Sequence, residues 1–277
     1  MSDLPFGLRR RPFPTTPDLS CYYAAGTHEH ALAALLAGLA DGEGFLLVTG
    51  DPGTGKTLLC HALLDRLARD ASIAFLTHTN LRDPASLLQA LLYDLSLPHG
   101  TRSEQEMRLA LIDHVLGRYR EGKRTVLVID EAQNLTGASL EELRLLGNLE
   151  GQAGKAVQVV LAALPEITAT LAQPALASLR QRISVRVQLD PLPVEEAADY
   201  LLHHLRAAGG RVDRIIGDEA LELLARQTGG VPRLLNQTAQ LALRLAAENE
   251  AEIDVEVALA ALADFGLAVE DEAPEAV

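Results

Sequence analysis

From Phe45 onward, short unbroken apolar runs alternate with stretches in which apolar residues recur every three or four positions. Runs at Phe45–Thr49, Ser72–Thr77, Thr125–Asp130 and Val157–Ala163 predict strands, and most are continuous enough for a sheet covered on both faces. A fifth segment, Ser184–Leu189, differs. There Ile183, Val185, Val187 and Leu189 alternate with Ser184, Arg186 and Gln188, which predicts a half-exposed strand at a sheet edge. Helical periods lie between the strands, near Lys56–Arg69, Pro84–Leu95, Ser103–Glu121, Ser139–Leu149 and Glu166–Leu179. Alternation of this kind predicts an α/β fold, a parallel five-stranded sheet with helices on both faces. The strand signal stops at Asp190-Pro191-Leu192-Pro193. Helical periods then run near Val194–Ala208, Asp218–Thr228, Pro232–Glu248 and Val255–Phe265, so a sheet domain of residues 45–190 is expected to precede a small helical domain of residues 191–267. Residues 1–44 hold a Pro-rich arm (Pro5, Pro12, Pro14, Pro17) and one helix near His28–Leu39, expected to pack on the sheet domain. Residues 268–277, with Glu270, Asp271, Glu272 and Glu275, read as a solvated acidic tail.

The first strand runs directly into Gly50-Asp51-Pro52-Gly53-Thr54-Gly55-Lys56-Thr57, the pattern G-x-x-x-x-G-K-[ST] between a buried strand and a helix. Glycines there let successive backbone N–H groups converge into a concavity that a Cβ would block. The expected ligand is ATP, held by the loop and the following Leu58. Lys56 would reach the β- and γ-phosphates, and the Thr57 hydroxyl would ligate Mg²⁺. The helix opening at Lys56 points its positive dipole end at the same anion. The third strand delivers Asp130-Glu131 to its carboxyl end, where ligands of open α/β sheets sit. Asp130 is expected to hold Mg²⁺ through water, and Glu131 to polarise the water that attacks the γ-phosphorus.

Composition narrows the class. With 277 residues, 48% hydrophobic and 22% charged, the chain can bury a large core, and no apolar run approaches the roughly 18 residues of a membrane span. Arg9-Arg10-Arg11 has no apolar stretch behind it, so no secretory signal is expected. Cys21 and Cys60 are too few for a disulfide framework, and a cytoplasmic location follows. The eight His residues show no metal-ligand spacing. A net charge of -14 argues against strong nonspecific DNA affinity over the whole surface, while leaving a local basic stripe in an oligomer open.

The phosphate loop, Asp130-Glu131-Ala132-Gln133-Asn134, the five strands and a helical lid together resemble the AAA+ ATPases. Further strings are similar to one branch, the ATPase domain of general secretion pathway protein A. They are Phe6-Gly7-Leu8 with Pro12-Phe13 and Thr16-Pro17-Asp18, Leu143 to Glu150, Leu179-Arg180-Gln181-Arg182-Ile183, and Gly229 to Asn236. The resemblance covers nearly the whole chain, and transposition ATPases of the TnsC and TniB type share much of it. It implies a homo-oligomer, ring or filament, that hydrolyses ATP between subunits to remodel or load a protein partner of secretion or envelope type. The alternative it leaves open is a nucleotide-gated, DNA-bound assembly adaptor with little turnover.

By the same resemblance Arg233 matches the sensor-2 arginine. Pro232 at the first helical position puts Arg233 in the first turn, against the helix dipole, where a bound phosphate explains a cation better than helix stability does. Arg182 matches the arginine finger that reaches a neighbouring subunit's γ-phosphate, with Arg180 the alternative. An edge strand suits a residue at a subunit boundary. Two positions depart from the family pattern. The fourth strand runs into Leu164-Pro165-Glu166, where relatives carry a polar sensor-1 residue, which puts fast hydrolysis in question. Secretion-pathway relatives continue into a membrane span and a peptidoglycan-binding region, so any envelope role of this chain is expected to need a partner.

Overall fold

The computed structural model describes residues 4–267 except 15, 68–70, 78–80, 82 and 152–153; the expected acidic tail lies outside the described residues. The chain divides into two compact units. One comprises His28–Pro52 and Lys56–Leu189, the other Met1–Thr27, Gly53–Gly55 and Asp190–Val277.

The sheet unit carries helix α1 (Gly26–Ala40), β1 (Phe45–Gly50), α2 (Lys56–Leu67), β2 (Ala71–Leu76), α3 (Pro84–Asp94), α4 (Glu104–Arg120) and β3 (Arg124–Ile129). These are followed by α5 (Gly137–Leu146), the hairpin strands β4 (Glu150–Gly151) and β5 (Gly154–Lys155), β6 (Val157–Ala163), α6 (Ile167–Leu171), α7 (Ala177–Arg182) and β7 (Ile183–Leu189). The main sheet has five parallel strands in the order β2-β3-β6-β1-β7, as the alternating pattern predicts. The three inner strands are buried along almost their whole lengths. β7 pairs with β1 and alternates between exposed and more buried positions, the edge character expected of Ser184–Leu189.

Phe45, Leu47, Leu127, Ile129, Val159 and Leu161 face one core with Leu88 and Leu91 of α3, Leu111 of α4 and Leu143 of α5. Their strand neighbours Leu46, Val48, Val126, Val128, Val160 and Ala162 are buried as well, because successive side chains point to opposite faces and both faces are covered. On that second face α1 comes so close that a Cβ at Gly38 would meet Val185 Cγ2 at 2.6 Å and Leu46 Cδ2 at 3.0 Å. Glycine there is a packing requirement. Helix starts are set by local chemistry: Asp83 caps α3 ahead of Pro84, and Ser103 with Glu106 forms a capping box on α4. The Arg108 guanidinium joins α4 to α5 by a bidentate bond to the buried Glu142 carboxylate, at 2.7 and 2.9 Å.

The continuous helix expected over Glu166–Leu179 is interrupted. Gln173 has ψ 140, and a 3-10 turn at Pro174–Leu176 separates α6 from α7. The ring of Pro174 drives the residue before it out of the helical region.

The second unit holds α8 (Val194–Ala207), α9 (Asp218–Gln227), α10 (Pro232–Glu248) and α11 (Val255–Asp264), packed around Leu201, Leu205, Leu224, Leu235, Leu243 and Leu262. The arm was expected on the sheet domain. Its residues up to Thr27 cluster with these helices instead. α8 presents a wide apolar face (Ala197, Tyr200, Leu201, His204, Leu205), and Leu8 and Phe13 of the arm complete its burial. The Arg9 N–H donates to the Ala208 carbonyl at 2.9 Å, and Tyr23 meets Tyr200 edge-on with centroids 5.8 Å apart. Among the described residues no helix is long and apolar enough to cross a membrane.

His204 is 5% exposed, packs against the rings of Phe13 and Tyr200, and its Nδ1 donates to the Pro12 carbonyl at 3.0 Å. Burial pushes its pKa from 6.5 down to about 4, against the pull of the Pro12 carbonyl. The folded chain therefore resists a proton that the unfolded chain accepts. The stabilisation is whole above pH 6.5 and is lost as pH falls toward 4, by on the order of 3 kcal/mol. Urea midpoints at pH 7, 5.5 and 4.5 are expected to fall steeply for the wild type and less so for His204→Phe. Equal slopes would show that another group carries the acid sensitivity.

Candidate functional site

The phosphate loop leaves β1 at Gly50 and ends where α2 opens at Lys56. Gly53 (φ 88) and Gly55 (φ 98) take left-handed conformations that side chains rarely adopt, which is why this turn spends glycines there. Lys56 is 5% exposed, and its ammonium donates to the carbonyls of Gly50 at 2.8 Å and Asp51 at 3.0 Å. The cation is thus folded over the loop.

Asp130 follows the last residue of β3 and is 2% exposed. Its Oδ2 accepts the Thr57 hydroxyl at 2.6 Å, and its Oδ1 accepts the Glu131 N–H at 2.9 Å. Burial raises its pKa; the bonds from Thr57 and Glu131 and the charge of Lys56 oppose that rise, while the Glu131 charge adds to it. A buried carboxylate touching a hydroxyl is a hard-oxygen donor set of the kind that suits Mg²⁺ shared with phosphate oxygens. The residues present fit that ion. Cys60, one turn further along α2, is buried, and burial together with the Asp130 charge holds it as an un-ionised thiol.

Glu131 sits at φ 53, ψ 36, left-handed for a residue that is not glycine, and is partly exposed. Such strain costs roughly 1–3 kcal/mol and gathers at functional sites. Its Oε2 accepts the Gln133 side-chain N–H at 2.5 Å, and the other end of that carboxamide accepts the Leu164 backbone N–H at 3.0 Å. Gln133 was legible in the sequence as part of a motif and nothing more; only the three-dimensional return of β6 beside β3 brings Leu164 to it. Leu164 itself is half-buried at the carboxyl end of β6, outside the main core.

Within the helical unit, to which Gly53–Gly55 cluster, the Arg233 N–H donates to the Gly53 carbonyl at 3.2 Å. A Cβ at position 53 would meet Arg233 Cβ at 2.8 Å, a second reason for glycine there. Pro232 does open α10 and Arg233 is exposed. Arg180 and Arg182 lie elsewhere. Both are exposed, and the Arg182 guanidinium donates to the Asn148 side chain. Parallel pairing sets Ile183 beside Phe45 and Leu189 beside Gly50, so Arg182 is at the opposite end of β1 from the loop, roughly 17 Å away along the strand. The fold brings Lys56, Thr57, Asp130 and Glu131 together and leaves the two arginines apart from them.

Comparison with known proteins bears on the fold that carries these residues. Residues 39–171 match the model of an AAA domain. The chain is 41% identical over 239 residues to "General secretion pathway protein A" of Aeromonas hydrophila, a match covering 86% of this chain and 43% of that protein. It thus spans less than half the length of that relative. Among solved structures, the Aeropyrum pernix ORC2 protein aligns with a TM-score of 0.73 at 18% identity, over 96% of this chain and 74% of that one. CDC6P from Pyrobaculum aerophilum gives 0.74 at 19%, over 91% and 69%, and the Thermotoga maritima RuvB Holliday junction branch migration motor 0.57 at 20%, over 92% and 73%. At such identities they speak for the fold alone. The chain thus has the AAA+ fold, matches an AAA domain over residues 39–171, and is similar to general secretion pathway protein A.

A fluorescent ATP analogue is expected to bind the wild type and to lose measurable binding on Lys56→Ala with the thermal melt unchanged, because the ammonium bonds loop carbonyls rather than apolar core. Near-wild-type affinity of that variant would show that Lys56 does not meet phosphate.

Proposed function

We propose that this AAA+ chain is an ATP hydrolase working between subunits of a homo-oligomer to remodel or load a protein partner of the secretion or envelope type. The observation that carries this reading is the constellation Lys56, Thr57, Asp130 and Glu131 at the carboxyl ends of β1 and β3. Backbone N–H groups of Gly53 to Leu58 and the α2 N-terminus would receive the phosphates, and Lys56 would exchange its loop carbonyls for β- and γ-oxygens. Thr57 and Asp130 would hold Mg²⁺, which when bound neutralises charge on the phosphates. Glu131 orients a water toward the γ-phosphorus and takes its proton as the new P–O bond forms and the bond to the β-phosphate oxygen breaks. Arg233, whose backbone is bonded to Gly53, is proposed to sense the phosphates. Arg182, or Arg180, is proposed to reach the nucleotide of the next subunit. Its position at the far end of β1 supports action in trans, since in its own subunit the strand length separates it from the loop. The oligomer is proposed to work in the cytoplasm.

A second reading, the nucleotide-gated DNA-bound adaptor, draws its support from Leu164, which offers no polar side chain at the end of β6. The net charge of -14 weighs against it. ATPase rate against protein concentration, with and without DNA, separates the two.

Glu131→Gln is expected to bind ATP as the wild type does and to turn over at least about tenfold more slowly, since only water activation is removed. Hydrolysis at the wild-type rate would remove Glu131 from the mechanism. Arg182→Ala is expected to lose turnover yet keep ATP affinity, and mixing it with Lys56→Ala protein is expected to restore part of the activity. The Lys56→Ala subunit still offers its arginine to the neighbour's nucleotide. No recovery at any mixing ratio would rule out a trans role.

A further inference from the structure

We infer that Gln133 is a positioning residue that locks the Glu131 carboxylate to the end of β6, so that the backbone at Leu164 supplies the polar link its side chain lacks. The inference rests on the ATPase reading above and goes beyond it in naming what aims Glu131. A carboxamide has one acceptor oxygen and one donor nitrogen, and here each is used in a different direction. Gln133 Oε1 accepts from the Leu164 N–H at 3.0 Å while Nε2 donates to Glu131 Oε2 at 2.5 Å. The reversed orientation would set N–H against N–H and oxygen against carboxylate, so the two neighbours fix which end is which.

The backbone on either side is held too. Gln133 lies in a 3-10 turn, Ala132–Asn134, whose Ala132 is fully buried, with Asn134 N–H bonded to the Glu131 carbonyl at 3.0 Å. Glu131 is anchored in its left-handed conformation by its own N–H on Asp130 Oδ1. Its carboxylate is therefore gripped from Gln133 while its backbone is gripped from the carboxylate proposed to face the metal. On the other side, Leu164 follows the last residue of β6 and precedes Pro165, the entry to α6. A shift of the β6–α6 junction passes through one carboxamide to Glu131. Chemical coupling and mechanical coupling share the same two hydrogen bonds.

Two substitutions separate the bonds. Gln133→Ala removes both. Gln133→Glu keeps an acceptor for the Leu164 N–H and replaces the donor toward Glu131 with a like charge. The measurements are kcat and KM for ATP, and hydrogen exchange of the Leu164 amide. Gln133→Ala is expected to lower kcat about tenfold with KM unchanged and to speed Leu164 exchange by a similar factor, each the scale of one lost hydrogen bond. Gln133→Glu is expected to lower kcat while Leu164 stays protected. In a Glu131→Gln background, Gln133→Ala is expected to add no further loss, because it acts through Glu131. Unchanged Leu164 exchange in Gln133→Ala would deny the link whether or not the protein hydrolyses ATP. Faster exchange with wild-type kcat, or losses that multiply in the double variant, would keep the link and deny the positioning role. A wild-type chain with no ATP turnover would sink the hydrolase reading and the positioning role together, while exchange would still report on the link itself.

Discussion

The 2.6 Å hydrogen bond from Thr57 to Asp130 joins residues 73 apart in the chain, across a strand that belongs to neither. β6 lies between β1 and β3, so the two strand ends are separated by roughly 10 Å, two inter-strand spacings. Thr57, at the start of α2, and Asp130, just after β3, close that gap, and the registers fix where each strand stops. Thr49 lies beside Ala163 while Ile129 lies beside Leu161, so β3 ends two residues before β6 does and Asp130 comes alongside the last residues of that strand. A slip of one residue in either ladder would turn every apolar side chain of a doubly covered strand to the wrong face, so the packing of the sheet enforces the geometry of the site.

Burial then makes the site expensive. Asp130 and Lys56 are charged groups with almost no solvent contact, and each is tolerated because polar neighbours surround it. Their arrangement is that of a place prepared for charges of both signs. The lysine donates to two loop carbonyls, which a phosphate oxygen could replace. The carboxylate is raised above its usual range by burial, which a cation would relieve. Each departure from ordinary core chemistry supports the proposed binding of a charged ligand.

Much of this was legible in the chain. Unbroken runs such as Val126–Ile129 read as strands of a sheet covered on both faces, and the alternation from Ile183 to Leu189 read as an edge. The place of Gly50 to Thr57 between a buried strand and a helix was legible as well. Three features were not legible, each for a physical reason. Pro174 broke a helix whose apolar period continues past it, because periodicity registers side chains and not the steric demand on the preceding residue. The arm went to the helical unit because the apolar face of α8 needed covering, and a Pro-rich segment has no period from which its partner can be read. The role of Gln133 depends on where β6 ends relative to the turn after β3, which is a fact of tertiary structure alone.

The arm has a consequence for how the molecule is made. Phe13 is buried against helices encoded nearly two hundred residues later, with the whole sheet unit between. During synthesis at 5–20 residues per second, the arm waits roughly 10–40 s for α8 to emerge. The sheet unit can complete its own core in that time, since every strand it needs lies between Phe45 and Leu189. Biogenesis is therefore ordered from the middle outward. The nascent chain carries an exposed apolar flag, Leu8 and Phe13, that is withdrawn only when the last helices are in place, and a holding chaperone would find it there on every unfinished copy.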